Sequence, residues 1–272
     1  MTDPGVLQFG ALVAAALLVG VSKTAVSGVG AISVSVFAAV LPAKQSTGAL
    51  LPLLLVGDVL AVSAYRRHAD WSALLRLLPS VAVGVLLGAV FVAHVDDAAM
   101  RRAIGVLLLT IVAHHLWQRR RTRTASGGGA DAVGAPEDRA RTDRGTAFPG
   151  TSAPRAQHGR VLVFGLIAGF GTMVANAGGP AMSLYLLSAG FTMLGFLGTA
   201  AWFFLIVNLV KVPFSTGLGL IDADVLALDA LLVLAVPVGA FLGRGAVHRI
   251  GQAVFERLVL VFTALSSVYL LW

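Results

Sequence analysis

Apolar runs of helical length, parted by short polar joints, occupy most of the chain. They fall at about 6–22, 29–41, 47–65, 73–94 and 101–117, and after a long polar interruption at about 161–175, 180–191, 194–216, 225–243 and 253–272. Several approach the ~20 residues that a helix needs to cross about 30 Å of hydrocarbon. The runs 29–41 and 180–191 are too short for that and read as half-helices or re-entrant pieces. The strict alternation of a membrane β-barrel is absent, and glycine and alanine are frequent, as close helix packing in lipid favours. The pattern predicts an all-α polytopic membrane protein with about 8–10 membrane segments, some short or broken.

Two of the joints are glycine-rich and sit at matching places in the two halves. One reads Gly20-Val-Ser-Lys23-Thr-Ala-Val-Ser27-Gly28-Val-Gly30 and the other Gly169-Phe-Gly171-Thr-Met-Val-Ala-Asn176-Ala-Gly178-Gly179-Pro180. A helix opened at membrane depth leaves N–H and C=O groups unpaired, at several kcal/mol each in hydrocarbon. Such breaks persist where protein, water or a ligand satisfies those groups. A pair of them, one per half, is the best sequence pointer to the binding site of a secondary transporter.

Composition agrees with the pattern. Of 272 residues 57% are hydrophobic and only 12% charged, half the share of a soluble domain, and the mean hydropathy is +0.88. The net charge of +7 is concentrated in an arginine-rich stretch after the fifth run, which argues for membrane orientation and against nucleic acid as a partner. The absence of cysteine excludes disulfides, thiolate metal sites and cysteine nucleophiles. The first run has no basic residue before Lys23 and reads as a retained membrane segment, not a signal peptide.

The stretch 118–160 carries Arg119, Arg120, Arg121 and Arg123, then Ser126-Gly-Gly-Gly129 and a mixture of Ala, Pro, Arg and Asp. It cannot bury apolar surface and is expected to be a disordered linker between a first repeat, 1–117, and a second, 161–272. The halves superpose without a gap so that Gly84 falls on Gly239, Leu87 on Leu242, Gly88 on Gly243, Arg102 on Arg257, Val106 on Val261 and Trp117 on Trp272. In a register shorter by a few residues, Gly20 and Gly30 fall on Gly169 and Gly179, and Asp58 lands near Asn208. Arginines follow the third, fifth and ninth runs, whereas Asp96-Asp97 and Asp222/Asp224 lie between them. The basic loops, the linker among them, are expected on the cytoplasmic side and both termini outside. Each half then crosses an odd number of times, which makes the repeat inverted.

Lys23 lies inside the first break, and an ammonium there needs an anion, a carboxylate or water, or must snorkel to the interface. Beside it, Ser22, Thr24 and Ser27 offer hydroxyls, while Gly28 and Gly30 let backbone N–H groups approach a ligand. Lys211 is its rough counterpart, three residues from Asn208 and hence on one helical face with it. Asn176, Gly178 and Gly179 belong to the second break. Two lysines and two helix N-termini, each N-terminus carrying about half a positive charge, favour a small anion. The competing reading is a pair of interfacial lysines with a packing asparagine. Asp58, the lone carboxylate of the third run, is a candidate proton or charge relay or a simple counter-charge. No metal-ligand spacing, cofactor motif or phosphate-binding loop occurs in the sequence.

Those residues sit within longer matches to a known family. The chain resembles the sulfite exporter TauE/SafE family, also called the toluene-sulfonate uptake permease family. The matching pieces are Gly20-Val-Ser-Lys23 with the glycines after it, Leu51-Pro52 through Gly57-Asp58, Tyr65-Arg66-Arg67 and Pro79 to Gly88. In the second half they are Asn176-Ala-Gly-Gly-Pro180, Tyr185-Leu186-Leu187, Gly198-Thr-Ala-Ala-Trp202-Phe-Phe and Asn208 to Phe214. The resemblance implies a carrier in the bacterial cytoplasmic membrane for sulfur-containing anions such as sulfite, sulfonates or sulfoacetate.

The expected function is therefore secondary transport of such an anion by alternating access, with proton coupling open. A non-transporting membrane scaffold or accessory subunit is the first alternative. An intramembrane enzyme built on Ser22/Lys23 or Ser27 is the second, although adjacent helical residues face different directions and no Gly-x-Ser-x-Gly elbow occurs.

Overall fold

A computed structural model of the chain describes residues 5–24, 30–127 and 154–246, and every regular element in them is helical. The first half contains α1 (Val6–Thr24), α2 (Gly30–Val40), α3 (Ala43–Tyr65), a 3-10 turn (Arg66–His68), α4 (Trp71–His94) and α5 (Asp97–Gly127). The second contains α6 (Pro154–Ala175), α7 (Gly179–Ser188), α8 (Met193–Gly217), α9 (Ala223–Leu232) and α10 (Ala235–Ala246). Four spans, Val6–Lys23, Ala43–His68, Trp71–His94 and Leu194–Gly217, are long and apolar enough to cross a membrane, and α9 with α10 forms a bent pair that makes a fifth. Outward faces are apolar: Phe241 is 79% exposed and Leu231 66%, a surface suited to lipid and not to water.

Polar side chains start the helices at the joints. Asp70 accepts from Ala73 N at α4 (3.1 Å), Thr192 from Gly195 N at α8 (3.3 Å), and Asp222 from Val225 N at α9 (2.8 Å). Asp97 does more, since its two carboxylate oxygens accept from Ala43 N (3.0 Å) and Lys44 N (2.9 Å) and so tie the start of α5 to the start of α3. The expected half-helices are α2 and α7. Ser33 of α2 donates to the carbonyl of Ala15 on α1 (2.9 Å), so α2 folds back against α1. In the other half, α7 packs on α6 in the same way.

The two halves exchange equivalent contacts. Gly20 of α1 lies against the backbone of Val236, Gly239 and Ala240 on α10, while Gly169 of α6 lies against Val81, Gly84 and Val85 on α4. The four glycines are those that the sequence superposes, Gly20 on Gly169 and Gly84 on Gly239, but in the fold each packs against the other pair's member, and the backbones meet where any Cβ would collide. Likewise Gly48, near the start of α3, packs on Leu220 just beyond α8, and Gly198, near the start of α8, packs on Tyr65, His68 and Ala69 at the end of α3. The equivalent helices α3 and α8 therefore run antiparallel. A two-fold relation that reverses a helix direction reverses the membrane direction too, which is the inverted repeat.

Three expectations are corrected or fall elsewhere. The fifth run does not stop at 117: α5 continues to Gly127 and α6 begins at Pro154, so both ends of the stretch assigned to the disordered linker are helical. Arginine is a good helix former, and a helix can run on into water once started in lipid. Residues 128–153 lie outside the described residues, as do the tenth run at 253–272 and the first four residues. The ninth run, 225–243, is one of the broken segments, bending by 41° between α9 and α10. Pro237 has no N–H to give the Val233 carbonyl, and Val236 N supplies that bond instead (3.2 Å).

Candidate functional site

Each break ends one helix and begins another, and the beginnings converge. The first residues of α2 (Gly30, Ala31) and of α7 (Gly179, Pro180) line one cavity of about 110 Å³, room for a few water-sized groups and well below the ~300–1,000 Å³ of drug-sized pockets. Two positive helix ends thus face a single small space. Ser22, Lys23, Ser33, Thr172, Asn176 and Asn208 supply its polar wall, and Val19, Val34, Leu50, Leu54, Ala177 and Phe204 its apolar one.

Lys23 reaches this cavity from the last turn of α1. Its ammonium lies 2.6 Å from Asp58 Oδ1 and 4.4 Å from the centroid of the Phe204 ring, a carboxylate on one side and a π face on the other. Asp58 is fully buried, whereas the lysine side chain keeps 11% of its surface accessible, so the charge that a ligand meets is the lysine's. Gly57 makes the approach available, since a Cβ there would stand 2.9 Å from Lys23 Cγ. Asn208 of α8 donates through Nδ2 to Asp58 Oδ2 (2.6 Å). The two residues that the repeat brings near each other in register thereby bond across the halves.

The second break is closed differently. Asn176 ends α6 in the left-handed region, φ +50°, a conformation in which asparagine is favoured after glycine. Ala177 N donates back to the Gly171 carbonyl (3.0 Å), and Asn176 Nδ2 donates to the Thr47 carbonyl of α3 (3.1 Å). Thr47 Oγ1 returns a bond to the Val174 carbonyl (3.2 Å). Lys211, 1% exposed, donates to the Thr172 carbonyl (2.7 Å) and to Asn176 Oδ1. Its ammonium thus caps the carbonyl end of α6.

Of the residues singled out in the sequence, Ser22, Lys23, Gly30, Asn176, Gly179 and Asn208 come together on the cavity wall. Asp58 stands behind Lys23 and Asn208. Lys211 stands behind Asn176 and does not line the cavity. Gly178 packs on α6, where a Cβ would lie 2.8 Å from the Ala168 carbonyl. Ser27 and Gly28 fall outside the described residues, and the side chain of Thr24 is likewise not described. Sequence reasoning passed over Ser33, Thr172 and Phe204. Each had a helical-spacing signal: Ser33 three after Gly30, Thr172 four before Asn176, and Phe204 four before Asn208 on the same face of α8.

The arrangement places the ammonium of Lys23, paired with Asp58, the N-termini of α2 and α7 and the side-chain amides of Asn176 and Asn208 around a cavity lined by both halves. No curated protein and no solved structure matches the chain. A family model described as sulfite exporter TauE/SafE matches residues 12–270, nearly the whole length. Broken helices, inverted halves and the family match agree: the chain belongs to the sulfite exporter TauE/SafE family and is a multi-pass membrane transporter, not an enzyme.

Proposed function

We propose that the protein carries a small sulfur-containing monoanion across the bacterial cytoplasmic membrane by alternating access, one inverted half moving against the other around the cavity. The observation that carries this reading is the convergence of Lys23 with the N-termini of α2 and α7 on one cavity. With Asp58 already paired to Lys23, the ammonium is half spent. The field left for a ligand comes from the helix ends and from Lys211 behind the wall. That balance suits the single charge of a sulfonate better than the double charge of sulfate, and the apolar wall of Val34, Leu50, Leu54 and Phe204 suits a short hydrocarbon portion.

Asp58 supplies a route to proton coupling. An anion that draws Lys23 away leaves a buried carboxylate without its partner, which is costly unless the carboxylate takes a proton. Anion and proton then enter together. In this reading Ser22, Ser27 and Asn176 orient the anion, the glycines Gly28, Gly30 and Gly179 expose N–H groups, and Gly178 holds the break close to α6.

The test is flux of a labelled sulfonate into proteoliposomes holding the purified chain alone. Lys23→Met is expected to abolish flux while leaving the protein folded, and unchanged flux in this variant would sink the site assignment. Absence of flux from the folded wild type across sulfite, taurine, sulfoacetate and toluenesulfonate would favour an accessory subunit instead.

A further inference from the structure

Lys211 is the largest fully buried charged side chain among the described residues, and its ammonium donates to two neutral oxygens, the Thr172 carbonyl and Asn176 Oδ1. Both belong to the end of α6, where the last carbonyls of the helix carry about half a negative charge. The Thr172 carbonyl also accepts from Asn176 N (3.0 Å), so it spends both lone pairs only with the ammonium in place. Oxygen atoms of an unwound helix end are the groups that hold a coupling cation in carriers built from broken helices.

From this geometry we propose that the carbonyl end of α6 is a monovalent-cation site that the chain fills from within, the Lys211 ammonium taking the place of a free cation. The break in α6–α7 is therefore held shut without sodium or potassium, and a shortened residue 211 opens the site to a small cation from solution. Lys211 is a positioning residue: it fixes Asn176, whose side chain faces the cavity, and touches no anion itself.

The experiment compares thermal unfolding of purified wild type and Lys211→Ala in choline, sodium and methylammonium chloride at equal ionic strength. Wild type is expected to unfold at one temperature in all three. Lys211→Ala is expected to be lowered in choline and raised again by about 3 °C or more in sodium or methylammonium, because a ligand of the folded state stabilises it. A variant that survives purification only in one of the two small cations supports the proposal equally. A variant indifferent to the cation, one recoverable in none of the salts, or a wild type raised by sodium as much as the variant overturns it. The readout involves no anion, so a failed anion-flux experiment leaves it standing, and its own failure leaves the carrier reading standing.

Discussion

Changing Asp58 to asparagine separates two duties that the native side chain combines. The carboxylate neutralises Lys23 (2.6 Å) and accepts from Asn208 (2.6 Å) while being fully buried. An amide of the same shape keeps a hydrogen-bonding partner for Asn208 but can neither balance the ammonium nor exchange a proton. Asp58→Asn is expected to retain exchange of labelled for unlabelled anion and to lose at least about tenfold of flux driven by a pH gradient, a loss equivalent to ~1.4 kcal/mol. Proteoliposomes with an imposed gradient measure both, and full gradient-driven flux in the variant would refute a proton role for Asp58. The neighbouring Phe204 shows how a residue without charge enters the same network, its ring centroid lying 4.4 Å from the Lys23 ammonium.

Helix against helix, the seams are made of backbone. α4 meets α6 at Gly84 and Gly169, and α1 meets α10 at Gly20 and Gly239, each glycine lying against the main chain of its partner. In lipid there is no hydrophobic drive between helices, so close van der Waals packing of small residues carries the association. A side chain at either seam cannot be absorbed by a rotamer change, because the atoms it strikes are carbonyls and amides. Gly84→Val and Gly239→Val are each expected to destabilise the fold by about 3 kcal/mol, the upper end for overpacking. Because the seams are equivalent, the two losses are expected to be similar. Unfolding of each purified variant in a graded detergent mixture reads this, and a neutral effect at either glycine would contradict the close approach.

Across the whole molecule, charge is sorted to the two ends of α3. Arg66, Arg67 and His68 follow its C-terminus, while Asp97 grips its N-terminus and Leu220, two residues before the Asp222 cap, packs beside it on Gly48. Under the positive-inside rule the arginine end faces the cytoplasm. The chain has no cysteine, so a single engineered thiol reports its side. Ala98→Cys, exposed next to Asp97, is expected to react with an impermeant maleimide in intact spheroplasts, and His68→Cys only after the membrane is opened. The reverse labelling would invert the orientation proposed for linker and termini. The antiparallel helices α3 and α8 are joined between the halves by the hydrogen bond from Asn208 Nδ2 to Asp58 Oδ2.

Much of this was legible in one dimension because the membrane imposes it there. Long apolar runs must be helices in hydrocarbon, and runs too short to cross that open on glycine read as half-helices, as α2 and α7 are. The correspondence of Gly20 with Gly169 and of Gly84 with Gly239 announced a repeat before any contact was known. Pattern could not say that these glycines bind across, Gly20 to Gly239 and Gly169 to Gly84, since register along a chain carries no information about which helix lies beside which. Nor could it divide the two lysines. By sequence alone both were equal candidates for an anion. Only the packing of α8 against the end of α6 commits Lys211 to carbonyl oxygens, and only the bare Gly57 lets Lys23 reach past α3 to Asp58 and the cavity. Sequence by itself determined the solvent, the element lengths and the twofold repetition, because each depends on local hydrophobicity. Tertiary structure decided which ammonium stands on the cavity wall and which is committed to carbonyl oxygens, because that depends on what each one touches.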